Sequence, residues 1–317
     1  MAHPVTGEVS APPGFATAEM VRRGLRGERI DLRGMLFQAA LLLTLLISLA
    51  VLITLLVDVF IKGWPVFQAR GGDFLTSNLS SFESRAGVWQ GLWGSLLLMS
   101  VVVVFAFPVG IGAAVYLEEY ARDTRLTRFI NSNIRNLAGV PAIVYGLLGL
   151  AIFVQAMRGI TGGRTVLAGG ITLAILVLPI VIITSAEALR AVPQGIREAG
   201  YGVGATRWEV VRSHVLPSAA PGIFTGTVLS LARAFGETAP LILVGAVTGF
   251  FTTGSGGLGD RLLGNFTALP TIIFDWSRQP SADARQNAAA AIIVLMALIL
   301  VVNAAAIILR NRYERKW

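Results

Sequence analysis

Cysteine is absent from this 317-residue sequence, histidine occurs only twice, and charged residues make up 14% of the chain. Without cysteine there is no disulfide framework, no thiolate metal site and no cysteine nucleophile. Two histidines, His3 and His214, are too few for a histidine-rich metal site. Hydrophobic residues make up 54% of the chain, whereas a soluble domain is about 45–50% apolar and about 25% charged. This composition excludes a soluble globular, a disordered and a fibrous protein.

Long apolar stretches are what the sequence does contain. Seven of them lack Asp, Glu, Lys and Arg, and each has the roughly 20 residues that a bilayer-spanning helix needs. Only residues 233–237 separate the fifth stretch from the sixth, so we interpret 216–247 as one long helix, either continuous or broken, and 248–257 as a loop. The sequence therefore predicts an all-α, polytopic membrane protein with six transmembrane helices. The seven stretches are 34–57, 86–117, 136–157, 165–186, 213–232, 238–259 and 286–309.

The basic residues indicate the orientation of these helices. The net charge is +8 and the isoelectric point is near 10.7, a balance that could also suggest nucleic-acid binding. With both termini inside the cell, however, 17 of the 26 basic residues fall in inner segments and eight in outer loops. This is the positive-inside bias of membrane proteins. We therefore expect a cytoplasmic tail (1–33), a transmembrane domain (34–310) and a second cytoplasmic tail (311–317).

The inner segment 187–213 reads as two short helices. Pro193 can begin the first, and Gly204 can end it in a left-handed turn. Thr206 and Glu209 have the spacing of a capping box for the second, and Pro217 is expected to begin the next membrane helix. Such a pair of helices on the inner face of a membrane protein is suited to docking a cytoplasmic partner. A generic amphipathic pair at the membrane surface is the alternative.

Residues in this segment resemble a known motif. Glu198-Ala199-Gly200, followed by Gly204 and by Leu216-Pro217, resembles the EAA loop of ABC-importer permeases. The chain departs from that pattern at Gly200, where the family has Ala, and at His214, where it has Ile. In the family this loop forms the coupling helices that dock onto the ATP-hydrolysing subunit. The resemblance therefore implies a type I ABC-importer permease fold, with these six residues as ATPase-coupling residues.

Further motifs resemble one branch of this family, the PstA-type permeases of phosphate importers. One departure is Ile183, where many relatives carry an arginine. The second permease type of such importers shares some of these motifs. The matching motifs are Tyr116-Leu117-Glu118-Glu119-Tyr120-Ala121, Asn136-Leu137-Ala138-Gly139-Val140-Pro141 with Tyr145-Gly146, Ala232 to Pro240, and Phe266-Thr267-Ala268-Leu269-Pro270.

Arg233 and Glu237 lie inside the fifth apolar region, where a charged side chain has a high free-energy cost of insertion into the membrane. Arg233 and Glu237 are four residues apart, so they can pair. Gly222, Gly226 and Ser230 extend the same side of the helix with small residues, which favours contact with protein or water over lipid. A guanidinium matches the oxygens of phosphate, and the family resemblance associates this pair with phosphate passage. We therefore expect a substrate pathway at Ser230, Arg233, Glu237 and Thr238; an ion pair that only locks two permease subunits is the alternative.

The resemblance implies an assembly as well as a function. We expect a permease subunit of an ATP-driven phosphate importer in a bacterial or archaeal cell membrane. Its expected partners are a PstC-like sister permease, two copies of a PstB-like cytoplasmic ATPase and a PstS-like phosphate-binding protein. No ATPase motif is visible in the sequence, so we expect no enzyme activity and no cofactor or metal in this chain, with ATP and Mg²⁺ bound by the ATPase. The alternatives are a permease for another oxyanion or polar solute, a homodimer, and a passive channel or phosphate-signalling scaffold.

Overall fold

The computed structural model describes residues 32–246 and 257–313, and all regular secondary structure in these ranges is helical. Most of the predicted tail 1–33, Val247 with almost all of the loop 248–257, and the last four residues of the tail 311–317 lie outside them. In chain order the helices are α1 (Leu32–Arg70), α2 (Asp73–Thr76), α3 (Trp89–Tyr120), α4 (Arg125–Ala138), α5 (Ala142–Ala156), α6 (Arg158–Thr161), α7 (Val166–Arg190), α8 (Gln194–Gly202), α9 (Arg207–Gly236), α10 (Ala239–Val244), α11 (Leu258–Leu262), α12 (Leu269–Arg278) and α13 (Ala282–Tyr313).

Five of the described helices are long and apolar enough to cross a membrane, namely α1, α3, α7, α9 and α13. The bent pair of α4 and α5 makes a sixth when it is counted as one span. The all-α membrane fold is therefore confirmed, and the predicted number of six holds on that count. The chain divides between Val57 and Asp58 into two units. In the first unit the large apolar side chains of residues 32–57 are mostly exposed, as lipid-facing residues are.

The third predicted span, 136–157, differs from the structure. The helix α4 ends at Ala138, and α5 leaves it at an angle of 100°. Pro141 has no backbone N–H and disfavours helical geometry at Val140, which favours a break of the helix at this point. The apolar stretches did not predict α4 itself, a 14-residue helix without a buried residue, in which three arginines lie among polar and apolar side chains.

For 216–247 the structure shows the broken form of the predicted helix. The helix α9 begins earlier, at Arg207, and ends at Gly236, after which Glu237 is extended with φ −77° and ψ 119°. The chain resumes as the short helix α10. Pro240 explains the break, because its ring would collide with the carbonyl of Gly236 and it cannot donate the hydrogen bond between the two residues.

The helix α7 is the most buried of the described spans. It packs against α3 at Gly110, where a Cβ would lie 2.7 Å from Cγ1 of Val181. It packs against α9 at Gly222 and Gly226, which face Ala188 and Thr184. Small residues let membrane helices approach closely. The small-residue side of α9 thus contacts protein, as the sequence predicted, and the neighbour is α7.

A second cluster of buried side chains lies at the Trp89 end of α3, where α2, α12 and the start of α13 meet. Hydrogen bonds tie residues 77–88 to this cluster. Arg70 donates from Nη2 to the carbonyl of Ala86 over 2.7 Å, and Ser281 Oγ donates to the Glu83 carboxylate over 2.6 Å. The amide of Asn287 donates to the carbonyl of Glu83 over 2.9 Å. This end is therefore built by residues far apart in the sequence.

Gly110 and Gly112 offer a matched test of the packing on α7. A Cβ at Gly112 meets nothing within 4 Å, in contrast to the close contact at Gly110. We expect Gly110→Val to destabilise the chain by about 1–3 kcal/mol because it overpacks the contact with Val181, and Gly112→Val to have little effect. Thermal unfolding of the purified chain in detergent measures both. Equal melting temperatures for the two variants would contradict the packing described here.

Candidate functional site

The segment 187–213 folds largely as predicted. The helix α8 follows Pro193 directly, and the chain turns at Gly204, whose φ of +82° is left-handed. Only glycine adopts this conformation without steric cost. The N–H of Gly204 donates to the carbonyl of Tyr201 over 2.9 Å, and that of Ala205 donates to the carbonyl of Gly200 over 3.2 Å. These bonds close the end of α8 and confirm the predicted turn.

The second helix begins with the predicted capping box. The N–H of Thr206 donates to Oε2 of Glu209 over 2.7 Å, and the N–H of Glu209 donates to Oγ1 of Thr206 over 3.4 Å. Pro217 lies in the first turn of the regular α-helix Leu216–Gly236, as predicted, but the span as a whole begins earlier, at Arg207. A π-helical turn over Val211–Val215 directly precedes Leu216 and Pro217. Such a wider turn accommodates proline inside a helix.

The six predicted coupling residues do not all share one surface. Glu198 and Ala199 are exposed on α8, Gly204 is exposed in the turn, and Pro217 is exposed on α9. Gly200 is buried, and Leu216 is half-buried against the cluster under the loop. The exposed surface also includes three large apolar side chains that the sequence analysis did not select, those of Tyr201, Val203 and Trp208, of which Val203 is 85% exposed. We call this set, with Glu198 and Ala199, the loop surface.

The departure from the family motif at Gly200 has a structural reason. A Cβ at this position would lie 2.7 Å from Cγ2 of Val210, which is fully buried. The two helices of the loop therefore approach each other more closely than an alanine at position 200 would permit.

The structure reveals a set of residues that the sequence analysis used only as a family marker. Glu118, Glu119 and Tyr120 end α3 in a π-helical turn. Each contacts an arginine of the segment that begins at the end of α7: Glu118 with Arg190, Glu119 with Arg197 and Tyr120 with Arg207. We call these six side chains the arginine clasp.

The pair of Glu119 and Arg197 is the buried member of the clasp. Their side chains are 5% and 12% exposed, and Nη2 of Arg197 lies 2.7 Å from Oε1 of Glu119. Arg197 also donates from Nη1 to the carbonyl of Val192 over 2.8 Å and from Nη2 to that of Leu189 over 2.9 Å. A buried ion pair needs such additional hydrogen bonds to offset the desolvation of its charges. The pair fixes α8 against the end of α3.

The other two contacts of the clasp are more open to solvent. The guanidinium of Arg190 binds both oxygens of Glu118, with 2.7 Å between Nε and Oε2. The guanidinium carbon of Arg207 lies 5.4 Å from the ring centroid of Tyr120, within the range of a cation–π contact. Two adjacent acidic residues at the end of an apolar helix indicate that basic partners lie nearby. The sequence alone does not show which arginines, some 70 residues away, these partners are.

The second predicted site lies at the break between α9 and α10. Nε of Arg233 is 3.3 Å from Oε1 of Glu237, so the expected pair forms, although Glu237 lies past the end of the helix. The Arg233 side chain is 49% exposed and that of Glu237 is 18% exposed. Thr238 is half-buried beside them. Ser230 is fully buried, and its hydroxyl donates to the carbonyl of Gly226 over 2.8 Å, so it does not share their exposed surface.

The chemistry of the break is set by the guanidinium of Arg233. Within the described residues Glu237 is its only hydrogen-bond partner and accepts from Nε, so both terminal nitrogens can donate to an exogenous group. Two parallel N–H donors of this kind bind carboxylate or phosphate oxygens in bidentate fashion. The break thus offers a half-exposed cationic fork.

Comparison with known proteins agrees with this architecture. Residues 106–316 match the family described as the binding-protein-dependent transport system inner membrane component. The chain belongs to this family. Two solved transporters have a similar fold: the MetNI methionine ABC transporter in inward-facing conformations (20% identity, TM-score 0.54, 72% of this chain and 98% of that one) and a bacterial ABC transporter for the acidic polysaccharide alginate (16%, 0.60, 89% and 97%).

Curated relatives of this transport family include PstA proteins. The chain is 34% identical to the phosphate transport system permease protein PstA 1 of Mycobacterium tuberculosis H37Rv over 68% of its own length and 67% of that protein's. It is 37% identical to PstA of Yersinia pestis, over 62% and 63%. It is also 34% identical to the probable ABC transporter permease YqgI of Bacillus subtilis over 55% of this chain, an alignment that spans only 58% of YqgI. The resemblance to PstA-type permeases is thereby confirmed, and the chain is a multi-pass membrane protein.

The contact of Gly200 with Val210 generates a prediction with two controls. We expect Gly200→Ala to destabilise the loop by about 1–3 kcal/mol, because the added methyl group overpacks the contact. Gly202→Ala is the matched control, since a Cβ there meets nothing within 4 Å. Adding Val210→Ala to Gly200→Ala should recover part of the loss by making room. Protease sensitivity of the loop in the purified chain measures all three, and a Gly200→Ala chain as resistant as the unmodified one would contradict the contact.

Proposed function

We propose that this chain is a permease subunit of an ATP-driven importer of inorganic phosphate. The observation that carries the proposal is the loop surface: exposed apolar and acidic side chains on α8, the following turn and the start of α9, held against α3 and α7 by the arginine clasp. A subunit that only conducts has no use for such a surface, whereas one that borrows ATP hydrolysis needs a place for the ATPase. The PstA relatives support phosphate as the substrate.

The proposed assembly follows the sequence expectation. This chain pairs with a sister permease, the loop surface faces the cytoplasm together with both termini, and two copies of an ATPase dock from that side. ATP and Mg²⁺ bind to the ATPase, and this chain carries no enzyme activity. A phosphate-binding protein delivers the substrate from outside. Closure of the ATPases on ATP displaces the loop surface, and the pathway past Arg233 alternates its opening.

At the break the proposed role of Arg233 is to donate to the anion in transit. Its two terminal nitrogens supply charge-assisted hydrogen bonds, while Glu237 holds Nε and thereby sets the direction of the fork. The negative charge of Glu237 also weakens anion binding, and conduction requires binding weak enough for release. Thr238 is close enough in sequence to contribute its hydroxyl, whereas the buried Ser230 contributes packing.

The role of Arg233 is tested by removing its charge. We expect Arg233→Ala to lower phosphate uptake into proteoliposomes of the assembled complex by at least about tenfold, because a hydrogen bond to a charged group contributes about 1.5–3 kcal/mol. Co-purification of the partner subunits checks assembly. Arg285→Ala is the control for a lost positive charge, since Arg285 bonds only to nearby carbonyls within the described residues. Uptake at the unmodified rate in Arg233→Ala would make the pathway assignment wrong.

Docking of the ATPase is tested by chemical labelling, for which a chain without cysteine is a ready background. We expect a maleimide to label Val203→Cys rapidly in the chain alone and slowly once the ATPase is bound, because the loop surface is then covered. Phe82→Cys is the control, because this exposed side chain lies in the segment that precedes Trp89, the first residue of α3 and the end of that helix away from the loop surface. Adding Glu198→Lys should restore labelling of Val203→Cys by weakening docking. Equal labelling of Val203→Cys with and without ATPase would contradict the docking surface.

A further inference from the structure

The arginine clasp joins three successive parts of the loop to one helix end. Arg190 closes α7, Arg197 lies within α8, and Arg207 begins α9. Their partners are consecutive residues at the end of α3. All three partners lie in the π-helical turn that ends α3, so one turn of α3 contacts arginines from three successive elements. A shift of the loop as a unit therefore acts on α3 through all three contacts.

The burial of the pair formed by Glu119 and Arg197 determines how tightly the movement of α8 is coupled to that of α3. Glu119 and Arg197 are both nearly inaccessible to water, and the guanidinium is bound at once by the carboxylate and by two carbonyls at the end of α7 and just after it. Separating this pair would leave two charges buried without a partner, which is far more costly than breaking an exposed pair. Displacement of α8 is therefore accompanied by displacement of α3.

The other end of α3 makes contacts of its own. There Ser95 accepts a hydrogen bond at Oγ from the N–H of Leu269, the first residue of α12, over 3.0 Å. Gly94 lies directly against the carbonyl of Thr267, and Gly91 lies against Ile272 of α12. The continuous helix α3, with the clasp at one end and this contact at the other, physically connects the loop surface to α12.

We propose that Glu118, Glu119 and Tyr120 are positioning residues that transmit displacement of the loop surface to α3, and through α3 to α12. The inference rests on the proposed function and adds to it the residues that make transport depend on ATP hydrolysis. None of the three needs to touch the ATPase or the substrate. Their effect is on the number of substrate ions moved for each ATP hydrolysed, a quantity that a static brace does not change in an assembled complex.

The experiment uses the full complex, with the ATPase, sister permease and binding protein that co-purify with this chain, in proteoliposomes supplied with inorganic phosphate. The variants are Glu118→Arg, Arg190→Glu and the two together, which reverse an ion pair accessible enough to tolerate exchange. Glu119→Gln tests the buried pair with little change of shape. Asp123→Arg is the matched control, since Asp123 pairs with Arg128 on the surface, where both side chains are mostly exposed.

We expect each single reversal and Glu119→Gln to lower phosphate transported per ATP severalfold while ATP hydrolysis continues. The double reversal should restore the ratio, and Asp123→Arg should leave it unchanged. An unchanged ratio in assembled Glu118→Arg and Glu119→Gln complexes would overturn the inference. So would failure of the double reversal to restore transport, or failure of both Glu118→Arg and Glu119→Gln to assemble, since the clasp would then act only as a brace.

The same experiment separates this inference from the proposed function. If the unmodified complex hydrolyses ATP but moves no phosphate, the assignment of phosphate as the substrate fails. The role of the clasp is then tested by measuring how far the binding protein increases the rate of ATP hydrolysis. We expect this increase to depend on α3 as well, since α3 connects α12 to the loop surface. Stimulation lost in Glu119→Gln and kept in Asp123→Arg supports the inference, and stimulation kept in both overturns it.

Discussion

Close contact between helices at α7 is the constraint on which the described bundle depends. Lipid is as apolar as the side chains it surrounds, so membrane helices associate through van der Waals packing and hydrogen bonds. Glycines give α3 and α9 the short distance to α7 that such packing requires. The loop surface and the break at Glu237 both lie on elements that follow or contact α7, so their positions are inherited from this packing.

The sequence predicted those parts of the fold that local chemistry determines. Apolar runs located the spans, and Pro193, Gly204 and the pair of Thr206 and Glu209 located the two helices of the loop, because each acts within a few residues. The start of the span before Pro217 was missed for the opposite reason. Whether a helix continues through a proline depends on whether the preceding turn widens. The π-helical turn at Val211–Val215 cannot be predicted from any single residue.

The partners of Glu118 and Glu119 show a different limit. Both residues stand out in the sequence, but their arginines lie 72 and 78 residues further along the chain, and pairing across that distance follows only from tertiary packing. The same holds for the candidate pathway. Spacing correctly paired Arg233 with Glu237, and Pro240 accounts for the end of the helix at Gly236, whereas the burial of Ser230 depends on neighbours that the spacing cannot describe.

The π-helical turn at Val211–Val215 has a consequence for insertions and deletions. Such a turn holds one residue more than the α-helix around it, and one residue corresponds to a rotation of about 100° about the helix axis. Shortening the turn by a residue would convert it to a regular α-turn and swing everything before it around α9. The capping box and Arg207 would then face away from Tyr120. The length of this short stretch, more than its composition, therefore fixes the direction in which the loop points.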